Sequence, residues 1–319
     1  MPESKLLLGT RRSPLALAQS RLAAAALEQQ HAGLEVELVP MITRGDVERG
    51  DLKPLGGKGL FTEELERGLT DGSLDLAVHS LKDLPVSLPD GLTIAAYPER
   101  ADPRDVLVCD VAESLEELAE GSVLLTGSHR RQAQILHAHP QLVVEPIRGN
   151  VGTRLRKWIK SGHAGLILAA AGLERLGVDD IPAYPLSPEQ MLPAPGQGIL
   201  ALEVRTGSRA EELCAALNHP PTARAAQLER HIVEAFGGDC TLPLAAWARE
   251  LDRDREDDGT EDHGKDTGGM ELTAVLATPD GCHLCRAGAS GDDPAKVAEA
   301  CVEAMVQQGA NQILARLRS

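Results

Sequence analysis

The chain reads as an α/β protein in which two α/β lobes form a cleft and a smaller α/β region follows them. Three observations predict this. Short apolar strands alternate with turns and amphipathic helices along the first two hundred residues. Two proline-rich stretches, residues 97–105 and 185–198, have the character of crossings, so that the second lobe is inserted into the first, a hinged layout. Finally, 319 residues with 42% hydrophobic content exceed one ordinary core and suffice for two or three.

The first strand and helix come from SKLLLGTRRSPLALAQSR, with Ser13 at the N-cap and Pro14 at the first helical position. Capping accounts for Ser13 but not for Arg11, which stands where a helix N-terminus favours an anion. A second strand, residues 34–42, leads into a glycine-rich loop expected to be mobile, with Lys58 and Phe61 available to a ligand. Phe61 is also read as a core residue. A helix follows from about Thr62. The strand around Leu74, Leu76 and Val78 alternates with Asp75 and Ala77 and runs into His79, Ser80, Lys82 and Asp83. Ligands of open α/β sheets bind at such carboxyl ends. Asp83 is therefore either a working carboxylate or a turn residue ahead of Pro85, and the residues alone do not decide.

Beyond the strand at 92–96 and the first crossing, a strand at 106–109 and a short helix at 114–119 are expected. In VLLTGSHRRQAQILHAHP, Arg130 and Arg131 open a helix, where the macrodipole disfavours cations; a bound anion would resolve the conflict. LVVEPIRGNVGTRLRKWI repeats the pattern with Arg148, a glycine turn and Arg154, so two strand ends present arginines to one crevice. GLILAAAGLERLG is a strand and a turn bearing Arg175. After the second crossing comes a strand at 199–205. The last third holds a helix ending near Phe236, the glycine-bracketed loop GGDCTLP, strands at 244–248 and 272–277 and a C-terminal helix from Asp293. Cys240 lies in that loop rather than in a core strand.

A formal charge of −16 argues against nucleic acid or an anionic membrane surface as partner. Of 32 basic residues 24 are arginines, the side chain suited to carboxylate and phosphate. No apolar run has the length of a membrane span, and the N-terminus lacks signal-peptide character, so a soluble cytoplasmic protein is expected. The six cysteines show no disulfide framework. Cys282 and Cys285, three apart in an expected strand, point to opposite faces and would not share a metal ion. No metal site is expected, and the acidic stretch around 252–268 reads as a solvated loop.

Ten segments in order, GTRRSPLALAQ, PMITRGD, GGKGLF, AVHSLKDLP, ERADPRDVL, TGSHRRQ, IRGNVGTRL, AAAGLERLG, LPAPGQG and GGDCTLP, resemble the porphobilinogen deaminase (hydroxymethylbilane synthase) family. The resemblance implies a monomer of three α/β domains, two of them similar to periplasmic binding proteins, with boundaries expected at 1–98 plus 199–218, 99–198, and 219–319. It implies an enzyme that links four porphobilinogen molecules head to tail on a covalently attached dipyrromethane cofactor. By that match Cys240 is the attachment site and Asp83 the catalytic carboxylate. Lys82, Ser128, Arg130, Arg131 and Gly149 are matched to cofactor binding; Arg11, Ser13, Lys58, Phe61, Arg148, Arg154 and Arg175 to substrate. His129 departs from the aliphatic residue frequent in the family. Two alternatives carry less weight: a two-lobed anion-binding protein, which has no use for Cys240, and a cysteine transferase using His231.

Overall fold

The computed structural model describes residues 5–41, 62–237, 242–251 and 268–318. Lys58, Phe61, Cys240 and nearly all of the acidic stretch at 252–268 lie outside the described residues.

Three sheets organise the chain. The first has the order β2-β1-β3-β10-β4, from β1 (Lys5–Arg11), β2 (Glu35–Met41), β3 (Leu76–Ser80), β4 (Leu92–Ala96) and β10 (Leu200–Arg205). The second has the order β7-β6-β8-β5-β9, from β5 (Asp105–Cys109), β6 (Val123–Leu125), β7 (Val143–Glu145), β8 (Gly165–Ala169) and β9 (Ala183–Pro185). The two orders are copies of one pattern. In each, three parallel strands are followed by one strand antiparallel to its neighbours. In each, that antiparallel strand is the one that arrives from the other lobe, β10 in the first sheet and β5 in the second. Two crossings, 97–104 and 186–199, therefore join the lobes, and the architecture is that of two α/β lobes with the second inserted into the first, as expected from the sequence.

Helices cover both faces of these sheets. In the first lobe they are α1 (Pro14–Gln30), α2 (Glu63–Asp71) and, after β10, α6 (Arg209–Ala215); in the second, α3 (His129–Ala138), α4 (Val151–Ser161) and α5 (Ala170–Arg175). Strand β5 shows why both faces must be covered. Leu107 and Cys109 join Ile135 of α3 in one core cluster, while Val106 and Val108 join Leu155 and Trp158 of α4 in another. The same two-sided burial corrects the alternation read around Leu76: Leu76, Ala77, Val78 and His79 are all buried. The helix expected at 114–119 is a turn, held by a bond from Glu113 N–H to Glu117 Oε2 (2.9 Å). The turn expected around Arg175 is the short helix α5.

The third sheet is an antiparallel meander, β11 (Leu244–Glu250), β12 (Met270–Ala277) and β13 (Leu284–Gly291). Helices α7 (Pro220–Ala235), α8 (Pro294–Gln307) and α9 (Ala310–Arg318) share one core with it, through residues such as Ile232, Leu272, Cys301 and Ile313. Cys282 is exposed and Cys285 buried. Among the described residues no helix is long and apolar enough to cross a membrane, and no three His, Cys, Asp or Glu side chains gather as metal ligands.

The third region is tied to both crossings. Glu229 of α7, fully buried, accepts at Oε1 from Arg100 Nη1 (2.6 Å) and Ala248 N–H (2.8 Å), and at Oε2 from Arg100 Nη2 (3.2 Å) and Gly196 N–H (2.5 Å). The crossings also touch each other. Gly198, at φ +85°, faces Ala101 so closely that any Cβ would run into the Ala101 carbonyl oxygen.

Candidate functional site: a cation-lined cleft at the lobe junction

Strand β3 delivers the chain to this site through a 3-10 turn, Leu81–Asp83. Leu81 N–H donates to Ile199 O (3.0 Å) and Leu84 N–H to Leu81 O (3.1 Å), which pins the turn against the second crossing. Gly196, at φ +75°, lies directly beneath it. A Cβ there would stand 2.8 Å from Leu81 Cγ and 3.0 Å from the Lys82 nitrogen, so both backbone conformation and space require glycine. Asp83 emerges exposed, and Lys82 enters a cavity. His79 does not belong to this polar set. The strand runs two residues further than its alternation suggests, and His79 is buried with Nε2 placed 2.8 Å from Glu203 Oε2 of β10.

The cavity, of about 90 Å³, is lined by Gln19 of α1, Ser80, Lys82, Arg131 of α3, Arg154 of α4, Arg175 of α5 and Gln197 of the second crossing, with Leu15, Leu168 and Ile199 among its apolar walls. Four cations from four separate elements thus converge. Gln19 Nε2 donates to Ser80 Oγ (2.9 Å), Arg154 Nε to Gly149 O (2.7 Å) and Arg175 Nη2 to Gly198 O (2.6 Å). Burial lowers the pKa values of Arg154 and Arg175; the charge of Arg131 adds to the effect on Arg154, and Asp83 opposes it. A larger hollow of about 470 Å³ lies on the far side of the crossings, between α1 and the junction of α6 with α7; Arg175 borders both.

Arg130 and Arg131 illustrate how the fold resolves an electrostatic conflict. They sit at the N-terminus of α3, and the anion there is internal: Asp105, fully buried at the start of β5. Its Oδ2 accepts from Arg130 Nη1 (2.7 Å), and its Oδ1 from Arg131 Nε (3.0 Å) and Nη2 (2.7 Å). The two guanidinium ions outweigh burial and hold the Asp105 carboxyl well below the usual carboxylate range. Arg130 also donates to Leu192 O (2.7 Å) and lies behind the cavity rather than in its wall.

Burial pushes the Lys82 ammonium down to about 8, opposed by Asp83 and Asp105 and reinforced by Arg131 and Arg130. Because the folded value is below the unfolded 10.5, the folded chain binds fewer protons between the two, and this group's burial cost, fully present below pH 8, is relieved as pH rises toward 10.5. Anion binding has the opposite sense, since it uses the charged form. The affinity of the cleft for a small dicarboxylate is expected to fall about tenfold as pH rises from 7 to 9.5, the worth of one charge-assisted hydrogen bond. Calorimetric titration across that range checks it, and Lys82→Met should flatten the dependence.

The other residues singled out from the sequence occupy different places. Ser13 and Ser128 cap α1 and α3, accepting from Ala16 N–H (3.2 Å) and Arg131 N–H (3.5 Å). Arg11 is half-buried at the end of β1, and Arg148 is exposed, its carbonyl accepting from Lys157 Nζ (2.8 Å). Neither lines the cavity. Three contributors carried no assigned role in the sequence reading: Gln19, Asp105 and Gln197. In the sequence Asp105 belongs to a charged crossing and Gln197 stands between two glycines; its one local signal is a lone amide in a segment, 193–198, otherwise made of Pro, Gly and Ala.

A cleft whose described lining carries four cations suits ligands that carry several carboxylates or phosphates. Comparison with known proteins gives an independent result. The family model described as porphobilinogen deaminase, dipyromethane cofactor binding domain, matches residues 6–212. Among solved structures, the chain is similar to the methionine binding protein MetQ (12% identity, TM-score 0.42, covering 71% of this chain and 95% of that one). It is also similar to the BenM effector binding domain with its effector benzoate (15% identity, TM-score 0.41, covering 73% of this chain and 93% of that one). With well over half of its length matched, the chain belongs to the porphobilinogen deaminase family, a family of tetrapyrrole biosynthesis.

Proposed function

We propose that the chain is a porphobilinogen deaminase. It performs the stepwise deaminating condensation of four porphobilinogen molecules onto a covalently bound dipyrromethane primer and releases hydroxymethylbilane by hydrolysis. The observation that carries this reading is the convergence of Lys82, Arg131, Arg154 and Arg175 on one cavity beside the exposed carboxylate of Asp83. We propose further that each sheet marks one domain, with boundaries at 1–98 plus 199–218, 99–198, and 219–319, and that the protein acts as a cytoplasmic monomer on a small-molecule substrate, with neither nucleic acid nor membrane as partner.

In this reading the cations hold acetate and propionate groups, Arg154 and Arg175 as forks, Arg131 through the N–H groups that Asp105 and Ile167 O leave open, and Lys82 as a point charge. When bound, the dipyrromethane supplies the pyrrole carbon to which the first substrate is joined; Cys240 attaches it as a thioether, needing nucleophilicity once. The Asp83 carboxylate takes pyrrole N–H donors, offsets the positive charge that develops on the substrate ring as ammonia departs, and exchanges protons with the leaving amine. Arg11, Ser13 and Arg148 contribute to substrate binding from outside the cavity wall, and Lys58 and Phe61 from the loop between β2 and α2. Ser128 and Gly149 serve cofactor binding through the turns they shape, and Arg130 through its shared bond to Asp105.

The test is the intact mass of the purified chain beside Cys240→Ser. An excess equal to two linked pyrrole units in the parent, absent from the variant, is expected. A parent chain that stays unmodified after incubation with porphobilinogen overturns the reading.

A further inference from the structure

Asp105 takes a fourth hydrogen bond besides those from the two arginines: Gln197 Nε2 donates to Oδ1 at 2.9 Å. Gln197 is 1% exposed, and its Nε2 donates also to Pro103 O at 2.7 Å. Both amide hydrogens are thereby committed to acceptors on the first crossing and at the start of β5, and turning the amide over would set its oxygen against a carboxylate. The carbonyl oxygen Oε1 is left facing Lys82 Nζ at 3.4 Å. A continuous hydrogen-bonded chain therefore runs from Arg131 in the second lobe, through Asp105 and Gln197, to Lys82 in the first. It passes through the crossing segment whose neighbouring glycines are bonded to Glu229 and Arg175.

We propose that Asp105 and Gln197 are a positioning pair: the carboxylate fixes the Arg131 guanidinium, and the amide carries that alignment across the lobe junction to the Lys82 ammonium. Neither residue receives the incoming carboxylate; each acts through a cation that does. The inference deepens the proposed reaction by assigning the alignment of two of its cations, but the arrangement exists without substrate and can be tested without it.

The first test uses the full chain and no substrate. Reductive methylation with formaldehyde and cyanoborohydride is followed at each lysine by peptide mass spectrometry from pH 6.5 to 10, for the parent and for Gln197→Met, which keeps side-chain length and removes the amide. Loss of Oε1 withdraws a dipole that favours the ammonium, so Lys82 is expected to react about threefold faster or more at pH 7.5, with Lys157, Lys160 and Lys296 unchanged. A parental Lys82 profile in Gln197→Met overturns the proposal. Should that variant fail to fold, Gln197→Asn, one methylene shorter, gives the same reading. The second test is a pair of double-mutant cycles on KM. Gln197→Met and Asp105→Asn should each raise KM about tenfold, but less than about twofold when Lys82→Met or Arg131→Ala, respectively, is already present. Additive losses overturn the proposal. An unchanged methylation profile on a chain that still carries its pyrrole adduct counts against the pair alone; a missing adduct counts against the reaction.

Discussion

Asp83→Asn is expected to lower kcat by about 10²- to 10³-fold while changing KM little. The substitution keeps the shape of the side chain and the 3-10 turn, whose backbone bonds do not involve the Asp83 side chain. What it removes is a negative charge that acts on Lys82 and Arg154, two of the cations lining the cavity. In the proposed reaction charge develops on the substrate ring only as ammonia leaves. The lost interaction is thus one made in the transition state, and its removal appears in kcat. On the same proposal the arginines hold the substrate carboxylates, so binding survives. The same substitution has a second consequence, because Asp83 raises the pKa of Lys82 against burial. Without it the ammonium titrates lower, and the pH profile of anion binding shifts to more acid values. Steady-state kinetics across pH 6.5 to 9 measures both. A loss confined to KM would mean that Asp83 is a binding group or a turn residue, the alternative that its place ahead of Pro85 left open.

Much of this site was legible because strand ends and helix starts leave local marks. Ser13, Ser128 and Pro14 announce helix N-termini, and the apolar runs at 76–78, 123–125, 142–144 and 165–168 announce the strands that carry the chain to the cleft. Arg131, Arg154 and Arg175 were found by that route, since each follows such a strand. The electrostatic argument about cations at a helix N-terminus was also sound, but it could not say where the anion comes from. Asp105 is separated from Arg130 by 25 residues and from Gln197 by 92. Pairings of that range depend on the sheet order, which no local pattern contains. His79 was misplaced for a related reason. Its partner, Glu203, comes from the strand that returns across the junction, so a polar residue that looked like the end of a strand is a buried member of it. Glu229 lies in a helix whose apolar spacing gives no hint that a carboxylate occupies its buried face.

That carboxylate carries the second large effect. Glu229→Ala is expected to destabilise the protein by about 3–5 kcal/mol, the cost of removing one partner from a buried ion pair. Each Glu229 oxygen accepts two hydrogen bonds, so the group is saturated; its loss takes the counter-charge from the Arg100 guanidinium, which keeps only the carbonyls of Gln197 and Ala248, and orphans the N–H groups of Gly196 and Ala248. Glu229→Gln recovers little, because an amide turns an NH₂ toward donors that need an acceptor. Replacing Arg100 and Glu229 together by methionine removes the unpaired charge but still strands the two backbone N–H groups, so the double variant should stay well below the parent. In a thermal melt the alanine variant is expected to unfold about 10 °C lower. The consequence for function follows from what the four donors belong to: Arg100 to the first crossing, Gly196 to the second, Ala248 to β11. Arg230, the next residue of α7, donates to Pro85 O (2.8 Å) and Val86 O (2.5 Å), just beyond Asp83. Helix α7 therefore fastens the lobe junction and the turn that carries Asp83 to the third region. A Glu229→Ala chain that melts with the parent would show that the crossings hold the junction by themselves, and α7 would then be packed against it rather than fastening it.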